Sequence, residues 1–589
     1  MIRTRMARGA AELGRRHVLK AGGAALLAPF WPAWAAPVSP GLAPSSPALE
    51  GTDIELRVAH RMLRIDGRDM HAIGLNDMVP GPLLRLREGQ DVRLTVINDL
   101  PDEDTSIHWH GLLVPFQMDG VPGVSFPGIR PGTRFSYSFP VRQAGTYWYH
   151  SHSGLQEQIG HYGPIIIDPA AADPIGHDRE HVILLSDHSP LHPHKIFTRL
   201  KQQGGYFNYQ KQTLAGQWAG RDQKGRDRFA WGGMRMDPAD ISDVTGSTYT
   251  YLVNGHGPAD NWTALFRPGE RVRLRFINAA AMTIFNVRIP GLTLTVVAAD
   301  GIPVRPVAVE EFQIANAETY DVIVTPADDR AYGLVAEAID RSGMAFATLA
   351  PRPGLAAAAP PLRRRPLATM RDMGMDMSAM GDDMKGMSHT DMTDMPMPDA
   401  PMPEMHMGMR DRRNAPALPL GPGVQTIAPM PADRTGEPGQ GLADVGHKVL
   451  IYADLAALER NPDVRAPGRA MRIHLTGNME RYMWAFDGLK LNEVKEPIAF
   501  TAGERVRITL VNDTMMNHPI HLHGHFFELV TGKGDHAARK HTVNVQPGGT
   551  VTFDLTADAV GDWAFHCHML YHMHAGMMQV VTVRPGAAA

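Results

Sequence analysis

A chain of 589 residues with a formal charge of −4 and a pI near 6.7 carries no basic footprint for nucleic acid, and its length calls for several domains. With 58 glycines and 47 prolines, its composition suits short strands joined by turns. The single cysteine, Cys567, excludes an internal disulfide, so that thiol is either an inert buried group or a reactive one with a task.

In chain order, the first element is an export leader. Gly14-Arg15-Arg16-His17-Val18-Leu19-Lys20, a short apolar run from Ala21 to Ala28 and Ala33-Trp34-Ala35 spell a twin-arginine signal with a small-residue cleavage site after Ala35. The apolar run is too short to span a bilayer. No other segment approaches transmembrane length, so the mature protein is expected in the periplasm without a transmembrane segment, delivered by the twin-arginine export machinery.

A strand then recurs three times. Gly89-Gln-Asp-Val-Arg-Leu-Thr-Val-Ile-Asn98 returns as Gly269-Glu-Arg-Val-Arg-Leu-Arg-Phe-Ile-Asn278 and as Gly503-Glu-Arg-Val-Arg-Ile-Thr-Leu-Val-Asn512. In each copy apolar residues alternate with polar ones, the pattern of a half-buried strand. The expected division is a leader at 1–35, β-domains at 50–170, 178–350 and 446–585, and a linker at 351–445.

Histidine pairs follow the outer repeats and not the middle one. After Asn98 come His108-Trp109-His110 and His150-Ser151-His152, and after Asn512 come His518-Pro519-Ile520-His521-Leu522-His523 and His566-Cys567-His568. After Asn278 the chain reads Ala-Ala-Ala-Met-Thr-Ile-Phe-Asn286, so the middle domain has the scaffold without the metal ligands. His192-Pro193-His194 is also HxH, but its proline suits a loop or sheet edge. With His525 and His574 it is expected outside the ligand set.

Between the second and third domains, residues 370–409 hold fourteen of the 34 methionines: Met370, Met373, Met375, Met377, Met380, Met384, Met387, Met392, Met395, Met397, Met402, Met405, Met407 and Met409. No helical or strand period is sustained, and prolines at 396, 398, 401 and 403 break any helix. The expectation is a disordered linker. Soft thioethers favour Cu(I), so the stretch reads as a copper-collecting strap; a neutral linker and an oxidation sink are the other readings.

Side chains alternate faces along a strand, so His566 and His568 point one way and Cys567 the other. His521 and His523 likewise share a face, and His518 has the opposite parity. Cys567, His518, His572 and Met577 then make the His2Cys set with an axial thioether that marks a blue-copper site. On the other side stand His108, His110, His150, His152, His521, His523, His566 and His568. Eight imidazoles suit three coppers holding three, three and two. A lone HxH would more simply be a hydrogen-bonded core pair, but four such clusters with consistent parity favour metal.

On these motifs the chain resembles the multicopper oxidases, the family of laccases, ascorbate oxidase and copper-resistance oxidases. The resemblance implies an all-β fold of three cupredoxin-like Greek-key sandwiches and four copper ions. It assigns His518, Cys567, His572 and Met577 to the type 1 copper, and His108 and His521 to the type 2 copper. It gives His110, His150 and His568 to one type 3 copper and His152, His523 and His566 to the other. Asp119, in Met118-Asp119-Gly120-Val121-Pro122, matches a family carboxylate near the type 2 copper and is assigned a proton-relay or water-orienting role, against the reading of a turn residue before glycine. Several bacterial relatives have a glutamate directly after the histidine matching His572; here it is Met573, which leaves His574 or ordered water as the substitute relay.

With the methionine-rich stretch ahead of the third domain, the resemblance narrows to the periplasmic copper-resistance oxidases. The implied activity is oxidation of Cu(I), and of phenols as well, with O2 reduced to water. Extra Cu(I) on the strap and periplasmic copper carriers as partners are implied too. The alternatives are a broad laccase acting on phenols and a non-catalytic periplasmic copper store.

Overall fold

A computed structural model describes residues 48–375 and 410–586. The expected leader at 1–35 and the methionines from Met377 to Met409 lie outside the described residues.

Among the described residues the strands form six sheets, grouped by chain order into three pairs. The first pair sets Arg68–Leu75, Asp53–Ile65, Asp91–Asn98 and Arg134–Pro140 against a five-stranded sheet that includes His108–His110 and Gly145–His150. Their facing apolar residues, among them Leu56, Leu94, Trp109, Tyr147 and Ile165, close one core. The second pair has six and five strands and the third seven and five. The fold is an all-β assembly of cupredoxin-like sandwiches.

The three sequence repeats occupy equivalent places. Asp91–Asn98, Val272–Asn278 and Arg505–Asn512 each pair in parallel with the preceding long strand and antiparallel with a later one. The asparagine that ends each copy has the same job. Its Nδ2 donates to two carbonyls across the following loop: Glu103 and Ile129 for Asn98, Thr283 and Ile314 for Asn278, Met516 and Val545 for Asn512, all at 2.7–3.0 Å. Its Oδ1 accepts from the amide two residues on. A buried amide so fully matched fixes the loop's path, and in the outer copies that path leads to the histidines.

Three expectations need correction. The middle repeat is not half-buried: every residue of Val272–Asn278 is buried. Its polar face is covered by the first domain, where Arg275 Nη1 donates to Thr146 Oγ1 (3.0 Å) while Arg273 and Arg275 bond Asp321. His192-Pro193-His194 forms no edge or loop but opens the helix Pro193–Gln202, with His192 as N-cap and Pro193 at the first helical position, where its missing N–H costs nothing. The start of the methionine stretch is ordered. Met370–Met373 makes a 3-10 turn; Thr369 N and Oγ1 donate to Asp372 Oδ2 (2.8 and 3.0 Å), and Arg434 Nη1 bonds Asp372 Oδ1 (2.7 Å). No helix among the described residues is long and apolar enough to cross a membrane.

Candidate metal centre

The first and third sandwiches bring their histidines face to face. His108 lies opposite His150 in one sheet and His521 opposite His566 in another. Across the join His110 stacks on His521 and His108 on His523, each with ring centroids 3.9 Å apart. Ring nitrogens come within 4.8 Å of one another in the sets His108/His110/His521, His110/His150/His568 and His152/His523/His566. Seven of the eight rings are buried, and His152 is half-buried.

The hydrogen bonds of these rings leave one nitrogen of each directed at the others. His108 Nδ1 donates to Asp119 O (2.7 Å), His521 Nδ1 to His541 O (2.7 Å), His566 Nδ1 to Cys567 O (3.0 Å) and His523 Nδ1 to Asp119 Oδ2 (2.8 Å). The Nε2 atoms of His108, His150, His152, His521 and His568 and the Nδ1 of His110 are buried with no partner among the described residues. His523 Nε2 and His566 Nε2 face each other at 3.0 Å, both as lone pairs once their Nδ1 atoms donate. Buried lone pairs without donors are costly, and a cluster of them is the donor set that copper cations complete.

The second site lies on the other side of the same strand. Cys567 Sγ is 3.6 Å from His518 Nδ1 and 3.7 Å from His572 Nδ1, and the two nitrogens are 3.2 Å apart. His572 Nε2 donates to Asp243 Oδ2 (2.7 Å). His518 Nε2 lies 2.8 Å from Thr514 Oγ1, whose own proton goes to Asn512 Oδ1 (2.9 Å). Both imidazoles therefore turn Nδ1 lone pairs to the sulfur, as a shared cation requires. Met577 is buried in the same core, and its carbonyl accepts from Cys567 N (3.1 Å). Trp484, itself fully buried, stacks on His572 with ring centroids 4.1 Å apart.

Asp119 is fully buried between the two halves of the cluster, with Oδ1 3.3 Å from His108 Nδ1. The glycine after it is required: Gly120 has φ +82°, and a Cβ there would overlap the Ile107 carbonyl. His525 is tied to the His523 carbonyl (3.0 Å) and His574 packs on Phe197, so neither reaches the ligand sets.

Sequence reasoning missed several residues. Asp243 comes from the middle domain and carries no local motif. Glu157 is buried with Oε2 3.0 Å from His150 Nδ1. His541 lies 4.8 Å from the His110 ring, and burial lowers it to about 4. A lone histidine before a strand gives no sign of this. The periodicity-blind methionines also converge: Met373, Met375 and Met515, buried with Trp231 and Ile241, pack with Met234, Met236, Met370 and Met479. Beside them burial, then Asp243 and Asp237, push Asp240 up to about 7.

Burial first, then neighbouring imidazoles, holds His110, His152, His521, His523 and His568 well below the ordinary range, and burial takes His566 down to about 3. A histidine lowered in the fold adds nothing above its unfolded value near 6.5. Below it the unfolded chain takes protons that the fold refuses, so stability drops by about 1.4 kcal/mol per pH unit for each such ring. Urea unfolding of copper-free protein from about pH 8 to about pH 5 is expected to show a plateau above pH 7 and a steep fall below about 6.5. A flat profile would mean that these rings are not buried neutral.

Comparison with known proteins agrees in extent with the fold. Multicopper oxidase family models match residues 57–172, 230–354 and 465–587. Copper resistance protein A of Escherichia coli is 48% identical over 572 residues, covering 92% of this chain and 94% of its own. The Copper resistance protein A homolog of Pseudomonas syringae pv. tomato is 48% identical over 570 residues (94% and 95%). Multicopper oxidase MmcO of Mycobacterium tuberculosis is 29% identical over 532 residues (90% and 86%). Among solved structures, Fet3p, a multicopper oxidase that functions in iron import, aligns with a TM-score of 0.62 at 18% identity over 91% of both chains. Laccase from Botrytis aclada gives 0.62 at 21% identity (91% and 88%).

Proposed function

The chain belongs to the multicopper oxidases, and from that premise we propose that it oxidises Cu(I) in service of copper resistance: four Cu(I), O2 and four protons yield four Cu(II) and two waters. Four resident coppers supply the one-electron transfers and the reduction of O2 when bound. His518, Cys567, His572 and Met577 are proposed to hold the type 1 ion and His108 and His521 the type 2 ion. His110, His150 and His568, with His152, His523 and His566, hold the type 3 pair. The lone-pair geometry of both sites supports this set. Arg15-Arg16 supports export to the periplasm by the twin-arginine route.

The residues themselves do four things. Asp243 and Thr514 hold the tautomers of His572 and His518. Trp484 covers one face of the His572 ring. Cys567 is bonded through the backbone to His566 and His568, so the two sites share one strand. Asp119 orients His523 and His108 and offers Oδ1 to an incoming proton.

The observation that carries Cu(I) as donor is the methionine cluster. Thioethers bind Cu(I) and offer a phenol only a weak hydrogen-bond acceptor. Three of its segments lead to the sulfur site within three residues: Ile241 to Asp243, Met515 to His518, and Met479 to Tyr482, whose hydroxyl donates to Asp243 Oδ2 (2.7 Å). Asp243, two residues from Ile241 of that cluster, is itself one hydrogen bond from His572. The strap beyond Met375 is proposed to feed the same cluster.

The test is O2 uptake by copper-loaded protein with Cu(I) and with a phenol. Replacing Met373, Met375 and Met515 by leucine conserves volume while removing sulfur. We expect KM for Cu(I) to rise at least about tenfold with phenol kcat/KM unchanged, since a substrate-binding contact is lost and the chemistry is kept. No uptake with Cu(I) in the parent protein would sink the proposal, and an unchanged KM would remove the cluster from it.

A further inference from the structure

A half-open cavity of about 590 Å³, away from both histidine sites, is lined by Arg341, Arg364, Arg365, Arg371 and Arg434 together with Asp372, Glu437, Asp444 and Gln440. Part of this charge is settled internally. Arg434 pairs with Asp372 (2.7 Å) and Glu437 (3.0 Å), Arg371 with Glu437, and Arg365 with Asp222. Arg341 and Arg364 instead donate to the backbone carbonyls of Arg364, Gly441 and Gly220. Among the described residues neither has a carboxylate within ion-pair distance, so the wall keeps positive charge in excess. Burial, and next the Arg363 guanidinium, lower the pKa of Arg341, against the opposing pull of Glu337, Asp444 and Glu311.

The wall also holds unmatched donors. Arg341 Nε, Arg365 Nη1 and Gln440 Nε2 are buried and have no acceptor among the described residues. Gln440 is only 5% exposed, and Asn517 Nδ2 donates to its Oε1 (2.8 Å), which fixes the amide and leaves the NH2 as the unmatched end. Among the described residues no buried side-chain acceptor on the same wall lacks a partner. Three donors, two of them on guanidinium groups, call for an acceptor-only ligand with several oxygens. A single water would bring donors of its own, and the space exceeds what one water fills.

We propose that this cavity binds a small oxyanion of two or more negative charges, of the phosphate or dicarboxylate class, held by Arg341, Arg365 and Gln440. Through Gln440 the ligand is two hydrogen bonds from Asn517, the chain neighbour of His518, so it braces the strand that leads to the sulfur site without touching it.

The test uses full-length copper-loaded protein with inorganic phosphate and, separately, succinate, each against chloride at matched ionic strength. Isothermal titration should show one saturable equivalent for at least one of them, and the anion that saturates names the source. Gln440→Glu keeps an acceptor for Asn517 while replacing the unmatched donor by an oxygen; Arg341→Gln removes the unpaired charge. Each is expected to weaken binding at least about tenfold, the worth of one charge-assisted hydrogen bond, while O2 uptake without added anion stays at the parent level. Binding no stronger than chloride, or equal in the parent and Gln440→Glu, would overturn the proposal. If Arg341→Gln does not fold, Gln440→Glu decides alone.

Discussion

Replacing Cys567 by serine should abolish turnover while leaving the eight-histidine cluster able to hold copper. The thiol is fully buried, and burial raises it far above the ordinary thiol range, so without a cation it stays protonated between two imidazole lone pairs. A bound cation reverses this by exchanging the proton for a metal bond. Serine nearly matches the shape but supplies no soft anion, and the backbone connection to His566 and His568 then leads from a site without its metal. O2 uptake with Cu(I) is expected to fall at least about a thousandfold, more than 4 kcal/mol of barrier, and the intense visible band should vanish. Electron paramagnetic resonance should still report copper on the histidines. Turnover within tenfold of the parent would refute the relay through Cys567.

Lys540→Met should be the most destabilising single change in the join between the second and third sandwiches. Lys540 is fully buried, with Nζ 3.0 Å from Asp300 Oδ1 and 3.1 Å from Glu318 Oε1, over the rings of Tyr320 and Tyr452. Burial pulls its ammonium down, but Asp300 and Glu318 more than offset this and hold it above its usual value. Methionine fits the space but strands two buried carboxylates, at a cost of about 3–5 kcal/mol. The damage should spread in one direction. Asp300 Oδ2 accepts from His541 N and Thr542 N (3.1 Å each); the His541 carbonyl accepts from His521 Nδ1 (2.7 Å), and Thr542 Oγ1 lies 3.3 Å from His110 Nε2. Signals of copper on the histidine cluster should therefore weaken before the blue band does. Adding Asp300→Asn and Glu318→Gln should recover most of the lost stability, because no buried charge then remains unpaired. Equal loss of both copper signals would show that the triad only stabilises the fold.

These two residues differ in how far they could be read beforehand. Cys567 stands in a local pattern, and strand alternation turns that pattern into two faces without any knowledge of the fold. Lys540, Asp300 and Glu318 are 240 and 222 residues apart in sequence at their widest, and nothing around any of them marks a buried charge. The repeats show the same contrast. Their alternating residues and terminal asparagines predicted equivalent strands, which the pairing registers bear out. The covering of the middle copy's polar face was not visible, because Arg273 and Arg275 look solvent-facing until Thr146 and Asp321 meet them.

By itself, then, the sequence determined the chemistry of the donors and the face each one takes, since both follow from residue type and a backbone period of two. It also carried the threefold strand repeat and the absence of histidines after its middle copy. Only the tertiary structure decided which faces meet, that Asp243 and Asp300 of the middle sandwich hold His572 and the His541 segment, and that methionines with no periodicity gather beside the sulfur site. Contacts of that kind depend on chain separation closed by folding, and no local pattern records them.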